Sequence, residues 1–297
     1  MKYLLRLGPV FVLLLVPGVA WLLSSILMFP ARMVCNKDLF VYCETPKEMG
    51  YEFEDIWVES SHGVNLSGWW IPSQGSSKTI IFSHGHGGDR HEGLRFLKAL
   101  HDAGFSVIAF DYRGAGTSTG VYDSMGYFER DDLEAVVQYA EKKGSLSIGV
   151  LGFSQGGATA LLTMAHNSKI KAGVMEGSFS NAKDVIAEAA FSMFYVPGFP
   201  LVDLALYIFE QRTGVNFEDL NPSDAIPKIE ADRLLLIHAK RDSFVPIHHA
   251  LKLIESAPRS HQWIYDGDRH AEAWQFDRSK AESLVVEHFK FWLRSKG

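Results

Sequence analysis

The stretch VLGFSQGGAT, residues 150–159, places a serine between two glycines at the point where an apolar run gives way to helix-forming residues. The apolar run at 148–153 is typical of a buried strand, and the Ala-Thr-Ala-Leu-Leu segment that follows favours a helix. So tight a strand-to-helix turn forces Ser154 into a strained backbone conformation, and Gly152 and Gly156 keep Cβ atoms out of the crowded space beside it. Because such strain is a costly way to position a structural serine, the pattern indicates a nucleophile at the end of a sheet strand.

Strand and helix patterns alternate from about residue 53 to the end of the chain. The runs FEDIWVES and NLSGWWIP predict an antiparallel pair joined around His62-Gly63. The runs KTIIFSHG, FSVIAFDYRG, SIGVLGFS, IKAGVMEG, RLLLIHAKRD and HQWIYDG predict the remaining strands, with helical stretches between them. Buried strands separated by helices predict an α/β fold with a mostly parallel central sheet and helices on both faces.

Length and composition restrict the class of protein. The 297 residues are 47% hydrophobic and 22% charged, which is ordinary for a globular chain. A net charge of −6 gives no basic surface for nucleic acid, so we expect no nucleic-acid partner. Two cysteines indicate neither a disulfide scaffold nor a thiolate zinc site, and we expect no metal or cofactor.

The N-terminal segment contains 23 consecutive uncharged residues, 7–29, which are enough to span a bilayer. The sequence therefore predicts a single-pass transmembrane helix at 1–30 that is separate from the fold, followed by a juxtamembrane segment at 31–52. A cleaved signal peptide is the alternative. The basic residues nearest the membrane precede the run, which favours a domain on the extracytoplasmic side. On that side Cys35 and Cys43 could pair, although two free thiols are equally compatible with the sequence.

Three polar residues follow successive predicted strands in the second half of the chain. A serine nucleophile needs a base, and the base needs a carboxylate that fixes its tautomer. Ser154, Asp242 and His270 supply these groups in that order. Because sites in parallel sheets form at the carboxyl ends of strands, we expect the three side chains to meet there.

Other residues compete for the acid and base roles. Glu176 also ends a predicted strand and is the alternative acid. His248 and His249 lie inside a predicted helix, and His261 lies at the beginning of a strand, which is the wrong end of the sheet. These positions favour His270 as the base.

The Gly-x-Ser-x-Gly turn, the order serine–aspartate–histidine and the loop SHGHGG resemble the alpha/beta-hydrolase superfamily over residues 53–297. With the N-terminal segment, the stretches MFPAR, DIWVESSHGVNLSGWWIP and FDYRGAGTSTG are similar to single-pass membrane serine hydrolases related to monoacylglycerol lipases and serine aminopeptidases. The resemblance implies hydrolysis of carboxylic esters, with thioesters, lipid esters and amides as further substrate classes, through an acyl-enzyme on Ser154. It also implies an oxyanion hole formed by the backbone amides of His86 and Gln155.

The loop HGHGGDRH allows two further hypotheses. His84, His86 and His91 could bind a metal, although the oxyanion turn already explains the loop. The spacing from His84 to Asp89 also matches an H-x4-D pattern of acyltransferases in some relatives of this superfamily. An acyltransferase and a catalytically silent binding protein on the same scaffold therefore stay as alternatives to the hydrolase.

An apolar insertion at 178–230 lies where alpha/beta hydrolases carry a cap. Prolines and a glycine interrupt it, which argues against a second membrane span. Phe191, Phe194 and Tyr195 are the predicted substrate-binding residues, because an apolar lid over the serine would select an acyl chain. We expect removal of residues 1–30 to leave activity on a soluble short-chain ester intact, since no candidate catalytic residue lies there.

Overall fold

Eight strands form one mixed sheet in the computed structural model, which describes residues 4–32 and 43–294, with side chains described from residue 16. The strands are β1 (Glu54–Glu59), β2 (Asn65–Ile71), β3 (Lys78–Ser83), β4 (Ser106–Phe110), β5 (Ser147–Phe153), β6 (Ile170–Glu176), β7 (Leu234–Ala239) and β8 (His261–Tyr265). Their spatial order is β1-β2-β4-β3-β5-β6-β7-β8. The pairs β1–β2 and β2–β4 are antiparallel, and all other neighbours are parallel, which confirms the predicted mostly parallel sheet.

Helices cover both faces of this sheet. The α-helices of the described chain are α1 (Leu4–Met28), α2 (Leu97–Asp102), α3 (Glu129–Lys142), α4 (Gln155–Met164), α5 (Ala182–Phe194), α6 (Asp203–Thr213), α7 (Pro222–Ala225), α8 (Ile247–Ser256), α9 (Ala273–Phe276) and α10 (Arg278–Trp292). Leu100 of α2 and Phe289 of α10 belong to the apolar core on one face. Val137 of α3 and Leu161 of α4 belong to the core on the other face. Because parallel strands end at the same edge of a sheet, we expect a functional site at that edge, where the strands end and the helices begin.

Two predicted element boundaries can be compared with the structure. The β1–β2 turn lies at His62 and Gly63, which have φ of 59° and 70°, as the sequence indicated. The helical stretch predicted between β3 and β4 begins as a 3₁₀ turn at Glu92–Phe96 and continues as α2. A Cβ on Gly93 would lie 2.3 Å from the ring of Phe82, so the chain passes here too close to the sheet for any larger residue.

The insertion between β6 and β7 forms a helical cap. Helix α5 leads through the turn Gly198–Val202 into α6, and α7 follows before the chain returns to β7. Ile186 and Phe209 from these helices belong to a third apolar cluster, together with Leu162 of α4. The cap therefore covers the end of the sheet at which α4 begins.

The end of α1 packs against the cap. Ala20, Ser24 and Met28, spaced four residues apart on one face of the helix, are buried. This differs from the separate segment that the sequence indicated at 1–30. In the part of the chain with described side chains, no single helix has the length and apolar character to cross a membrane, and Val16–Met28 is a shorter apolar helix. Helices α5 and α6, taken together with the turn between them, have the length and apolar composition of a membrane span, but the chain bends by 106° between the two helices.

The sequence contains two cysteines, Cys35 and Cys43. Cys43 is disulfide-bonded. Cys35, the other cysteine of the sequence, lies outside the described residues.

Candidate active site

Ser154 occupies the sharp turn between β5 and α4. Its φ of 50° and ψ of −121° lie in a region that non-glycine residues rarely adopt, which confirms the predicted strained turn. A Cβ on Gly152 would lie 2.6 Å from the Cα of Gly157. A Cβ on Gly156 would lie 2.1 Å from the carbonyl oxygen of Ser83. Both flanking glycines are therefore required by the close approach of helix and strands around the serine.

Asp242 and His270 meet beside this turn. Asp242 follows β7 and His270 follows β8, and Nδ1 of His270 lies 2.7 Å from Oδ2 of Asp242. The second oxygen, Oδ1, accepts hydrogen bonds from the amides of Phe244 and Val245, each at 2.9 Å. Burial would raise the pKa of Asp242, but the hydrogen bonds from His270 and Val245 and the attraction of His270 together lower it below its ordinary value. The carboxylate is therefore ionised at neutral pH.

The other nitrogen of His270 is free to act as a base. Its Nε2 is buried and has no hydrogen-bond partner among the described residues. Because an ionised carboxylate accepts the proton on Nδ1, the neutral ring carries its lone pair on Nε2. A Cβ on Gly177 would lie 3.0 Å from Cε1 of His270, so the glycine allows the ring to pack against the strand end.

Glu176, the alternative acid, has a different set of partners. Its Oε1 accepts a hydrogen bond from the amide of Ala273 at 2.7 Å, and its Oε2 lies 3.8 Å from Nη2 of Arg95. Burial raises the pKa of Glu176 despite the nearby guanidinium of Arg95. The structure thus brings Asp242, rather than Glu176, to Nδ1 of His270.

The rival histidines lie elsewhere. Nε2 of His248 and Nε2 of His249 lie 3.0 and 3.1 Å from the two oxygens of Glu188 on α5. His261 is exposed at the beginning of β8. In the described ranges, Glu188, His248 and His249 are the group whose ligand atoms converge closely enough for a metal ion. Each carboxylate oxygen already pairs with one ring nitrogen, so the group connects the cap helix α5 to α8 without an ion.

The loop after β3 packs directly against the serine. Nε2 of His84 accepts a hydrogen bond from the amide of Tyr112 at 3.0 Å, so its Nδ1 carries the proton and donates it to the carbonyl of Gly85 at 2.9 Å. The amide of Gly85 donates to Oε2 of Glu92 at 2.7 Å. A Cβ on Gly85 would lie 3.2 Å from the Cβ of Ser154, so a larger residue here would crowd the serine. His84 therefore stabilises the loop from within the protein.

His91 and Asp89 form their own pair within the same loop. Nδ1 of His91 lies 2.9 Å from Oδ1 of Asp89, which also accepts the amide of His91. Asp89 therefore bonds His91 rather than His84, the other residue of the H-x4-D pattern.

The two residues with predicted oxyanion amides are joined through Asp123. The side-chain amide of Gln155 donates to both carboxylate oxygens of Asp123, at 3.0 and 3.1 Å, and Nε2 of His86 lies 3.9 Å from the same carboxylate. The backbone N–H of Gln155 is at the first position of α4 and has no acceptor within the helix. Sequence reasoning missed Asp123, because it lies past the stretch FDYRGAGTSTG in the loop between β4 and α3, where the sequence does not mark it as a site residue.

An apolar cavity of about 340 Å³ adjoins the serine. Ser154, Gln155 and His86 form its polar part, and apolar side chains, most of them from the cap and the N-terminal segment, form the remainder. This volume is within the range of small-molecule pockets.

Of the three predicted substrate-binding residues, Phe194 lines this cavity. Phe191 and Tyr195 do not line it, and they are 59% and 82% exposed. Ile186, Ala190 and Phe194 share the cavity-lining face of α5 at a spacing of four, although Phe194 is itself 57% exposed, and Phe191 and Tyr195 lie on another face. Sequence reasoning missed the contribution of α1 and of the residues just after it, namely Leu23, Ile26, Leu27, Pro30 and Ala31. Their apolar character alone does not distinguish a pocket wall from a lipid-facing surface.

Comparisons with known proteins agree with this architecture. The family model of the alpha/beta hydrolase fold matches residues 78–206. The Pyrococcus furiosus esterase Pf2001 superposes with a TM-score of 0.73 at 27% identity, covering 90% of this chain and 99% of that one. The family model and the superposition together support an alpha/beta-hydrolase superfamily member.

Two relatives in other organisms extend the comparison. The protein YqkD of Bacillus subtilis is 27% identical over 236 residues, which are 77% of each chain. The alpha/beta hydrolase domain-containing protein WAV2 of Arabidopsis thaliana is 26% identical over 244 residues, 78% of this chain and 77% of its own length.

Proposed function

We propose that this protein is a membrane-associated serine hydrolase that cleaves carboxylic esters of apolar acids through an acyl-enzyme on Ser154. The observation that carries the proposal is the cavity of about 340 Å³, which combines Ser154 with an otherwise largely apolar lining. The hydrogen bond between Asp242 and His270 supplies an oriented base. The similarity to a structure described as an esterase supports esters as the substrate class.

In this proposal the base activates the serine for attack on the ester carbonyl. Oγ of Ser154 bonds to the carbonyl carbon, and its proton moves to Nε2 of His270. The negative charge that develops on the carbonyl oxygen is stabilised by the amides of His86 and Gln155. The bond to the alcohol oxygen then breaks, and His270 returns the proton to that oxygen. Water repeats the sequence on the acyl-enzyme and releases the carboxylic acid, while Asp242 stays ionised throughout.

The size of the cavity supports a medium-length acyl chain. At about 30 Å³ for each water-sized group, 340 Å³ has room for roughly ten carbons. We therefore expect kcat/KM on p-nitrophenyl esters to rise with chain length up to about ten carbons and to fall beyond it.

A fluorophosphonate probe tests the serine directly, since only an activated serine reacts with it. The wild-type protein should be labelled, and Ser154→Ala and His270→Ala should not. Ser178→Ala is the matched control, because Ser178 is also buried and its Oγ has no partner among the described residues. Absence of labelling in the wild type would favour the silent binding protein. Ester products formed with an added alcohol would instead favour an acyltransferase.

Membrane association belongs to the same proposal. The uncharged run at 7–29 supports it, as do exposed large apolar side chains on the end of α1 and on the cap. These exposed residues are Trp21, Leu22, Ile26, Phe29, Phe191, Met193, Phe194, Tyr195, Phe199 and Tyr207. Co-flotation with phospholipid vesicles tests the association, and a protein that stays at the bottom of the gradient contradicts it.

The disulfide at Cys43 supports an extracytoplasmic location for the domain, since structural disulfides persist in oxidising compartments. Protease accessibility in intact cells tests this side of the membrane. Protection of the domain until the cells are lysed would contradict it.

A further inference from the structure

Part of the cavity wall comes from the end of α1. Leu23, Ile26 and Leu27 line the cavity together with Ile186 and Phe194 of α5. An acyl chain between them would contact the N-terminal helix and the cap at once. Without the helix, the cap residues would face water, and a bound chain would be buried on one side only.

A cation from the cap fastens α1 in this position. Nη1 of Arg212 on α6 donates to the hydroxyls of Ser24 and Ser25, at 3.1 and 2.8 Å. The guanidinium also lies over the ring of Trp21, 4.7 Å from its centroid. Arg32, just past the helix, donates to backbone carbonyls of a loop on the sheet domain at 2.6 and 2.7 Å. The segment is thus attached to the cap through Ser24 and Ser25, and to the sheet domain through Arg32.

The same segment contacts both residues that carry the proposed oxyanion amides. Nε2 of His86 lies 3.1 Å from the carbonyl oxygen of Leu27. The carbonyl of Met28 accepts the amide of Asp123 at 2.9 Å, and the carboxylate of Asp123 bonds the side chain of Gln155. Two successive carbonyls at the end of α1 therefore connect to His86 and, through Asp123, to Gln155.

We propose that the end of α1, residues 23–31, is a specificity-determining part of the substrate site, in which Leu27 limits the length of the acyl chain and Arg212 positions the wall. This rests on the proposed ester hydrolase for its substrate class. A helix that acted only as a tether would need neither the polar contacts of Arg212 nor a face toward the cavity.

Leu27→Trp tests the wall. The larger ring fills part of the cavity, and each excluded methylene lowers relative kcat/KM about fourfold, so two or three lost methylenes give roughly 15- to 60-fold. We expect the ratio of kcat/KM on p-nitrophenyl decanoate to that on the acetate to fall by this amount. Leu22→Trp is the matched control, since Leu22 is 55% exposed on the same helix and does not line the cavity. Its ratio should stay at the wild-type value.

Arg212→Met tests the fastening, with Arg259→Met as control, because Arg259 is exposed and pairs with Asp232 far from α1. The decanoate-to-acetate ratio should fall in the first variant and not in the second. Melting temperatures of all four variants identify any that fail to fold.

A binding measurement separates this inference from the proposed reaction. Calorimetric titration with sodium decanoate is performed on the Ser154→Ala protein, with and without Leu27→Trp or Leu22→Trp. At least tenfold weaker binding with Leu27→Trp alone supports the wall even if no esterase activity is found. Equal binding by the two tryptophan variants, or no decanoate binding to folded Ser154→Ala protein, overturns the inference whatever the activity assays show.

Discussion

Asp242→Asn should abolish most of the activity by reversing the tautomer of His270. In the wild type, Oδ1 of Asp242 accepts the amides of Phe244 and Val245, and Oδ2 faces Nδ1 of His270. An asparagine keeps its single oxygen on the two backbone donors, since its NH₂ group cannot accept from them. The NH₂ group then points at Nδ1 and can only donate to it. The proton of the neutral ring must therefore move to Nε2, which leaves His270 unable to accept the proton of Ser154.

The size of the loss follows from this reversal. The same substitution in serine proteases, with the geometry intact and the tautomer wrong, lowers kcat about 10⁴-fold. The two backbone amides here select the orientation of the asparagine in the same way, so we expect a loss of about that size, equivalent to about 5 kcal/mol in the activation barrier.

Initial rates on p-nitrophenyl butyrate, corrected for the active fraction of each preparation, measure the effect. Asp266→Asn is the control, because Asp266 is an exposed carboxylate in the neighbouring loop that pairs with Arg241. A folded Asp242→Asn protein within tenfold of the wild type would refute the reasoning, since another group would then have to orient the base.

Three further predictions concern the turn at Ser154, the alternative acid and a buried histidine of the core. Gly156→Ala should destabilise the fold by about 3 kcal/mol in urea unfolding, because its Cβ would lie 2.1 Å from the carbonyl of Ser83, whereas Gly198→Ala, with open space around it, should change stability little. Glu176→Gln should reduce kcat less than tenfold, since that carboxylate bonds a backbone amide and not the base, and a larger loss than for the Asp242 variant would contradict the assignment of the acid. Burial lowers the pKa of His288 from 6.5 to about 4 in the folded protein. Between these two pH values the unfolded chain is protonated at this residue and the folded protein is not, so the free energy of unfolding falls as the pH decreases from about 6.5 to 4. The loss from this group alone is about 3 kcal/mol in the free energy of unfolding over that range. His288→Gln should therefore flatten the pH dependence of the urea midpoint.

The fold and the centre of the site could be predicted from sequence because their signals are local. The turn around Ser154 needs its glycines for steric reasons, and the whole pattern lies within five consecutive residues. Asp242 and His270 each follow a strand that can be recognised by itself, and the parallel sheet then brings strand ends together. Their hydrogen bond at 2.7 Å forms where β7 and β8, which follow each other in the chain and are neighbours in the sheet, both end.

The walls of the site could not be predicted in the same way, because they depend on contacts between distant segments. Phe191 and Phe194 are equally apolar in the sequence, and only the packing of α5 determines that the second faces the cavity. Asp123 bonds Gln155 from a part of its loop that no sequence motif marks. Hydrophobicity indicates that a side chain leaves water, but it does not identify which neighbour covers it.

The N-terminal segment shows the consequence of that limit most clearly. From composition it is a span of apolar residues outside the fold, and its removal is then expected to leave activity on a short ester intact. In the structure its last two turns line the cavity, and its carbonyls at residues 27 and 28 bond His86 and Asp123. Cutting after residue 30 would remove both the wall and these two acceptors. A truncated protein should therefore lose activity on soluble acetate through the oxyanion loop, and more on decanoate through the missing wall, even where no membrane is present.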